Sequence, residues 1–394
     1  MNGRLPAEWL LTVEQKRHYA GFNAFVSQNI LPQAGAWDRA ERLPDAILSQ
    51  LGDQGYLAGT VTAEWGGRGW DTVTLGLLLE AVARGSSGVA GVLTVQAMVT
   101  ATLAKWGSAE QKGRWLVPLA KGEMIGAFAL TEPDGGSNIQ SLATGVRGNS
   151  SAEGPLLLNG TKRWISNAQM ASVFVVFAQQ EGRPLACLVP RDAPGLRIEP
   201  IQDLMGYRGA GLAELHFDQV KVPPADVIGK PGFAISHIAP YGLHYGRICT
   251  ACAGLGLLRA CFEESAGYAS RRKVGGEMVG EMGMIQSMLA RMGADLEAGT
   301  QLCHSTCRAA DDSLPEAFEQ ALIAKYFTSK AAVRAASDAV QIHGAAGCHG
   351  NSAVSRYYRD VKILEIIEGT TQIHERLLGK VFLTRGPARM PDSV

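Results

Sequence analysis

The sequence predicts an α+β chain in three parts, helical, then β, then helical again. Apolar residues recur at three-to-four spacing up to about residue 120 and again from about residue 233. Between these stretches lie short runs rich in β-branched and aromatic residues, punctuated by Pro and Gly. The length of 394 residues leaves room for two or three domains.

In residues 1–120, Leu77, Leu78, Leu79, Val82 and Ala83 form one helical stripe. Val92, Leu93, Val95, Met98 and Leu103 form a second. Trp65-Gly66-Gly67-Arg68-Gly69 must be a loop between helices, because glycine at that density cannot hold one. Its G-G-x-G could cradle a phosphate, but it matches no full fingerprint. In residues 121–232, residues 156–158, Asn159-Gly160 and residues 161–165 read as a hairpin with a tight primed turn. Strand-like runs follow at 173–177, 185–189, 196–198 and 213–222, separated by Pro190, Pro194 and Pro223-Pro224. Residues 233–385 return to a helical pattern rich in Ala, Leu, Met and Arg. It breaks at Gly344-Ala345-Ala346-Gly347 and at Gly369-Thr370-Thr371. Residues 386–394, with two prolines, read as a loose tail.

Composition excludes several function classes. Lys+Arg and Asp+Glu both number 37, so the net charge is zero and the pI about 7.1. A nucleic-acid binder held through phosphates needs a basic face, and none is expected. At 46% hydrophobic and 19% charged residues, the chain can bury a large core and is not disordered. No apolar run approaches the roughly 18–20 residues of a membrane helix; the longest obvious one, 171–178, has strand length. The opening residues lack a basic-then-apolar signal pattern, which points to a soluble, cytoplasmic protein without membrane contact. Seven cysteines in such a chain argue against structural disulfides. Cys249-x-x-Cys252, with Cys303, His304 and Cys307, could form a redox or zinc site. The surrounding Ala251, Ala253, Gly254 and Gly256 favour a close-packed helix instead, and no metal is expected.

Three loops could carry chemistry. The first is Ala127-Phe128-Ala129-Leu130-Thr131 running into Glu132-Pro133-Asp134-Gly135-Gly136-Ser137-Asn138. Its N–H groups and hydroxyls suit a planar heterocycle or a phosphate, or it is an ordinary turn. The second, Lys162-Arg163-Trp164-Ile165-Ser166-Asn167, sets an indole beside a hydroxyl, to wall a flat cofactor or simply to fill a core. The third is Glu365-Ile366-Ile367-Glu368-Gly369-Thr370. Glu365 and Glu368 are three apart and share a helical face, and Gly369 stops the helix. Glu368 is either a solvated helix-end carboxylate or a general base of raised pKa aimed into a cleft.

Taken in order, these segments resemble the acyl-CoA dehydrogenase flavoprotein family over nearly the whole chain. AFALTEPDGGSN is similar to its first signature and LNGTKRWISNAQMASVFVVFA to its flavin-walling segment. GYRGAGLAELHFDQVKVPPADVIGKPG and GRICTACAGLGLLRACFEESAGYASRR resemble the exit from the β-domain and the first C-terminal helix. QIHGAAGCHGNSAVSRYYRDVKILEIIEGTTQI resembles the second signature and the catalytic loop. The resemblance implies an N-terminal helical domain, a middle β-barrel or sandwich and a C-terminal four-helix bundle. It implies FAD as cofactor and at least a homodimer, or a homotetramer.

The resemblance also assigns roles. Phe128, Leu130 and Thr131 would line the flavin ring, with Trp164 and Ser166 near its reactive edge and Ile165 between them. Ser137 would approach the flavin pyrophosphate and the pantetheine of the thioester. Arg272 and the run Gln341, Gly344 and Ala345 would reach the FAD of a neighbouring subunit, while Thr370 and Gln372 would complete the FAD site. Glu368 would be the catalytic base, removing the acidified α-proton while flavin accepts hydride from the β-carbon. Substrate would be met by Ser137, His244, Arg247 and Gly369, and the enolate would be stabilised by flavin ribityl and the Glu368 amide.

Several positions depart from the family pattern. Gly275-Gly276 stand where Phe-Gly is usual, Gly283 where Gln is usual, and Ala345 where a second Gly is usual. His244 replaces the acidic residue that meets pantetheine in ordinary CoA recognition. The run Leu243-His244-Tyr245-Gly246-Arg247 is most similar to members that oxidise three-carbon acyl groups on an acyl carrier protein, making polyketide or non-ribosomal peptide extender units. The alternatives are a short- or branched-chain acyl-CoA dehydrogenase passing electrons to an electron-transfer flavoprotein, a flavin monooxygenase or oxidase using oxygen, and a scaffold that has lost FAD.

Overall fold

The computed structural model describes residues 8–139, 142–148 and 154–385, so the tail at 386–394 lies outside the described residues. The first helical layer comprises α1 (Val13–Phe25), α2 (Ala34–Ala40), α3 (Asp45–Asp53), α4 (Thr72–Gly85), α5 (Ser87–Trp106), α6 (Ala109–Gln111) and α7 (Val117–Ala120). Side chains start these helices where the sequence offers them. Thr12 and Gln15 close a capping box on α1, Asp71 accepts from the Thr74 amide, and Ser86 accepts from the Val89 amide. The glycine-rich loop at 65–69 does fall between helices.

Helix α5 reaches membrane length without containing an unbroken apolar run of that length. It is 20 residues long, and an 18-residue stretch of it has mean hydropathy 1.5, long and apolar enough by composition to cross a membrane. Its most apolar window is nevertheless 94% buried within the fold. Threonine, glycine and glutamine interrupt the run, which hides its overall hydropathy from a search for unbroken apolar residues. It packs on α4 and against the sheet and helices described next.

The β-segment contains β1 (Gly126–Ala129), β2 (Gly145–Arg147), β3 (Leu156–Ile165), β4 (Val173–Gln180), β5 (Arg183–Pro190), β6 (Leu196–Pro200), β7 (Ala213–Val222) and β8 (Val227–Ile228). They form one eight-stranded sheet in the order β6-β7-β3-β2-β4-β5-β8, with β1 parallel to β4. Strand β4 is apolar along most of its length because both of its faces are covered. Phe174, Val176 and Ala178 enter the sheet interior with Leu158, Leu215 and Phe217. Val173, Val175 and Phe177 pack with Val99, Leu103 and Leu119 of the helical layer.

The hairpin expected across Asn159-Gly160 does not form. Residues 156–165 are one strand, paired on both sides of that dipeptide with β7, from Leu156↔Val222 to Ile165↔Ala213. The dipeptide lies at a register shift between Leu158 and Gly160, where Asn159 stands opposite two residues of β7, Asp218 and Gln219. Gly160 has φ 140°, and a Cβ there would lie 2.7 Å from the Thr144 Cα. Asn159 Oδ1 accepts from the backbone and side-chain nitrogens of Gln219 opposite. A short hairpin forms elsewhere instead. Gly275 and Gly276, both at positive φ, make the two-residue turn between β9 (Lys273–Val274) and β10 (Glu277–Met278).

The second helical layer is α8 (Ala239–Ala269), α9 (Gly283–Asp311), α10 (Ala317–His343), α11 (Ala353–Leu364) and α12 (Thr371–Arg385). Helices α8, α9 and α10 pack on one another, and α8 lies along α4 and α5. Cys249 and Cys252 are buried in α8, and the Cys252 thiol meets those of Cys303 and Cys307 on α9. All seven cysteines are free.

A buried ion pair ties β3 to the segment after β1. Lys162 Nζ lies 2.8 Å from Glu132 Oε1 and donates to the Leu130 carbonyl at 3.1 Å. The same carboxylate accepts from the amides of Ala143 and Thr144. Lys162→Met strands a buried carboxylate and should cost about 3 kcal/mol, read as a lower urea midpoint at unchanged slope.

Candidate functional site

Helix α11 ends at Leu364, and a turn carries the chain through 365–368 before α12 begins at Thr371. Glu365 and Glu368 therefore do not share a helical face. Glu365 caps α11 and pairs with Lys362 at 2.7 Å, whereas Glu368 stands at φ 55° and turns inward. The left-handed backbone of Glu368, followed by Gly369 at φ 98°, is what separates their directions. Thr370 Oγ1 accepts from the Ile373 amide and starts α12, leaving Gln372 exposed.

Three helices hold this turn. The Glu368 carbonyl accepts from Arg247 Nε of α8 at 3.3 Å and lies 3.2 Å from His374 Nε2 of α12. Lys325 Nζ of α10 donates to the Gly369 carbonyl at 2.7 Å. The Glu368 carboxylate sits against α8 at Gly246, where an added Cβ would lie 2.5 Å from Oε2 and 2.9 Å from the Met98 sulfur of α5. A larger residue there would push the carboxylate and the Met98 thioether aside. Although Glu368 as a whole keeps some accessible surface, its Oε2 is buried and has no hydrogen-bond partner. Burial pushes the carboxyl up to about 7, while the charges of Arg247 and Lys325 pull it down. Burial likewise brings Lys325 down to about 8, against the pull of Glu368.

One turn earlier on α8, about 6 Å along its axis, Gly242 gives the same close approach to the other side of the site. An added Cβ there would lie 2.7 Å from the Phe128 ring and 3.0 Å from Thr102 Oγ1. Phe128 also packs on Phe177, with ring centroids 4.8 Å apart. Leu130 is buried two residues on, and Thr131 is partly exposed. The Thr131 carbonyl accepts from the Arg163 amide, which aligns that segment with the end of β3.

Trp164 is not a core residue. It stands at φ 60°, 49% exposed, with the Arg163 guanidinium 5.0 Å from its ring centre. Ser166 is partly exposed next to it, whereas the Ile165 side chain is buried in the sheet interior. Asn167, fully buried at φ 64°, donates to the carbonyls of Val92 and Gly126 and fixes this corner to α5 and β1. Ser137 is exposed in the loop beyond Thr131.

His244 and Arg247 flank a residue that no sequence motif marked. The Phe318 ring of α10 stacks on the His244 imidazole at 5.6 Å and lies 5.1 Å from the Arg247 guanidinium. His244 Nδ1 and one terminal nitrogen of Arg247 are buried without partners. Burial, then the Arg247 charge, brings His244 down to about 4, so it is neutral near pH 7. Lys325, His374, Met98 and Gly246 also carry no signal that a motif search would find.

The remaining residues gather elsewhere. Arg272, Gln341, Gly344 and Ala345 are all exposed. The Tyr268 and His343 rings, 4.2 Å apart, bring the ends of α8 and α10 together at that place. Gln341 is 16 residues along α10 from Lys325, roughly 24 Å at helical rise. This chain therefore does not unite them with the Glu368 turn.

The raised Glu368 pKa has a definite linkage sign. The group ionises near 4.5 when unfolded and near 7 when folded, so its contribution to stability is fully present below about 4.5 and lost as pH rises through 7. Glu368→Gln should therefore unfold at a higher temperature than wild type at pH 8, by a difference on the order of 2 kcal/mol, and match it at pH 4.5. Scanning calorimetry at the two pH values reads the difference.

Known proteins share this architecture. Three family models match: acyl-CoA dehydrogenase N-terminal domain over residues 12–123, middle domain over 127–220 and C-terminal domain over 236–383. The human mitochondrial short-chain specific acyl-CoA dehydrogenase is 34% identical over 362 residues, covering 90% of this chain and 86% of that protein. Butyryl-CoA dehydrogenase from Megasphaera elsdenii superimposes with a TM-score of 0.91 at 28% identity, over 97% of this chain and 100% of the other. FkbI, for biosynthesis of the methoxymalonyl extender unit of the polyketide FK520, has a TM-score of 0.84 at 30% identity, over 93% and 99%.

Proposed function

The chain belongs to the acyl-CoA dehydrogenase family and is an FAD-dependent oxidoreductase of the CH–CH donor class, and from that premise we propose that it oxidises a short acyl thioester with Glu368 as the base. The observation that carries this reading is the Glu368 carboxylate, with Oε2 buried and unbonded and its pKa raised to about 7. A base poised near the working pH combines a useful ionised fraction with a strong pull on the proton. The likeness to the human short-chain specific acyl-CoA dehydrogenase favours a short acyl group.

The chain carries residues suited to FAD. Trp164, a half-exposed indole at a left-handed corner, would wall the flavin, with the partly exposed hydroxyls of Thr131 and Ser166 at its edge. Phe128 and Leu130 would back it, the Ile165 backbone would continue it, and Ser137 would approach the pyrophosphate. Thr370 and Gln372 would complete it from the start of α12. When bound, FAD supplies the hydride acceptor. Arg272, Gln341, Gly344 and Ala345, at the far end of α10, would serve the FAD of a second subunit in a homodimer or homotetramer. Gly275-Gly276, as turn residues, leave the exposed end of that region without an aromatic ring.

In the finer reading the substrate is a three-carbon acyl group on an acyl carrier protein, and the product is an extender unit. His244 supports it, because a neutral imidazole stacked on Phe318 cannot play the part of an acidic partner for pantetheine. The likeness to FkbI supports it as well. Glu368 takes a proton from the α-carbon or from the hydroxyl of a hydrated 3-oxo group. Burial of Oε2 keeps bulk water from competing for that position. Arg247 and Lys325 hold the backbone on either side while the charge on the carboxyl changes. The second reading, a short-chain acyl-CoA dehydrogenase feeding an electron-transfer flavoprotein, is favoured by the likeness to the human short-chain protein.

Anaerobic flavin bleaching separates the two. The same three-carbon acyl group is offered on CoA and on a carrier protein, and bleaching by the carrier form alone is the expected result. Equal bleaching by the CoA ester returns the protein to general acyl-CoA oxidation. Glu368→Gln should keep its flavin and lose about 100-fold or more in the rate of bleaching.

A further inference from the structure

Glu368 owes its aim to a left-handed backbone, φ 55°, in a residue that has a side chain. Such a conformation is strained and persists only where its surroundings over-determine it. Arg247 and Lys325 supply two of the restraints. The third is His374, fully buried in the first turn of α12. Its Nε2 lies 3.2 Å from the Glu368 carbonyl, and its Nδ1 lies 3.2 Å from the Leu322 carbonyl of α10. The ring also closes on the turn itself, since a Cβ added to Gly369 would sit 3.1 Å from Nε2.

Both neighbours of the imidazole are carbonyl oxygens, and a neutral ring carries one N–H. The Leu322 carbonyl lies inside α10, where the helix already provides the amide four residues on. The Glu368 carbonyl lies in a turn, where no helix amide reaches it and Arg247 Nε at 3.3 Å is its other donor. The proton is therefore better used on Nε2. The charged groups facing His374 are Lys325 from α10, Arg247 from α8 and Glu368 from the turn. Burial, then the two cations, keep the ring neutral near pH 7.

We propose that His374 is a positioning residue, whose Nε2–H donates to the Glu368 carbonyl and locks the 368–369 turn with the carboxylate against Gly246. It acts through Glu368, its own ring being fully buried. The inference rests on the reading of Glu368 as the base.

The test compares His374→Leu and His374→Gln with wild type and Glu368→Gln, using whichever thioester bleaches the wild-type flavin. His374→Leu fills the volume without a donor, and His374→Gln offers an amide to the same carbonyl. The expected result for His374→Leu is at least a tenfold slower flavin reduction at saturating thioester, about the loss that follows a misplaced base. Its half-saturating concentration stays within about threefold, since substrate contacts are untouched. The Glu368 carboxyl midpoint, followed by infrared titration of the flavin-free protein, falls from about 7 toward the ordinary range. His374→Gln recovers most of the rate and the midpoint. The proposal is overturned if His374→Leu matches wild type in rate and midpoint. It is equally overturned if both variants lose rate in step with a lowered unfolding temperature, which marks a packing role. Normal bleaching by Glu368→Gln sinks the base assignment and this proposal with it, whereas an inert Glu368→Gln beside a fully active His374→Leu sinks the proposal alone.

Discussion

The Glu368 carboxylate must be buried and yet remain able to ionise, and the helices around it are arranged to meet that demand. An isolated charge in an apolar interior would simply stay protonated. Arg247 and Lys325 bring opposite charge close enough to hold the pKa near neutrality, and both donate hydrogen bonds to backbone carbonyls rather than to the carboxylate. That division leaves Oε2 without a protein partner. A salt bridge to either cation would satisfy the oxygen and lower its basicity. Gly246 makes the arrangement possible by allowing α8 to touch the carboxylate directly.

The sheet meets this helical site through polar ties as much as through apolar packing. Asn167 binds the end of β3 to α5 and β1, and Lys162 binds β3 to the segment that follows β1. Both residues are fully buried. Their partners are main-chain carbonyls and one carboxylate, so they fix backbone positions rather than add apolar area. Phe128, Thr131 and Trp164 are thereby presented from two strands at one corner. Helix α8 then spans the distance from that corner to the Glu368 carboxylate in a single turn, through Gly242 and Gly246.

Much of this is legible in the sequence, because it is written locally. The helical–β–helical order follows from a change of period, and Glu368, Trp164 and the 127–138 loop lie in contiguous motifs. The Asn159-Gly160 dipeptide misleads for a physical reason. A glycine is wanted in a primed turn for its positive φ and here, mid-strand, for its positive φ and close approach to Thr144, and only the long pairing of β3 with β7 distinguishes the two. Lys325, His374, Phe318 and Met98 are invisible for a different reason. They come from separate helices or lie about two turns apart on one helix, and their proximity exists only after α5, α8, α10 and α12 have packed. The left-handed turn at 365–368 is similar, since its local sequence reads as a continuing helix.

Helix α5 also bears on how the chain is made. Residues 87–106 leave the ribosome before the strands at 126–228 and before α8, the elements that complete its cover. Synthesis of the 163 residues between Trp106 and Ala269 takes roughly 8–30 s at about 5–20 residues per second. Throughout that interval a segment apolar enough to enter a lipid bilayer has only the first helices to shelter against. The nascent chain thus exposes apolar surface that the finished protein conceals, of the kind that makes partly folded chains prone to aggregate.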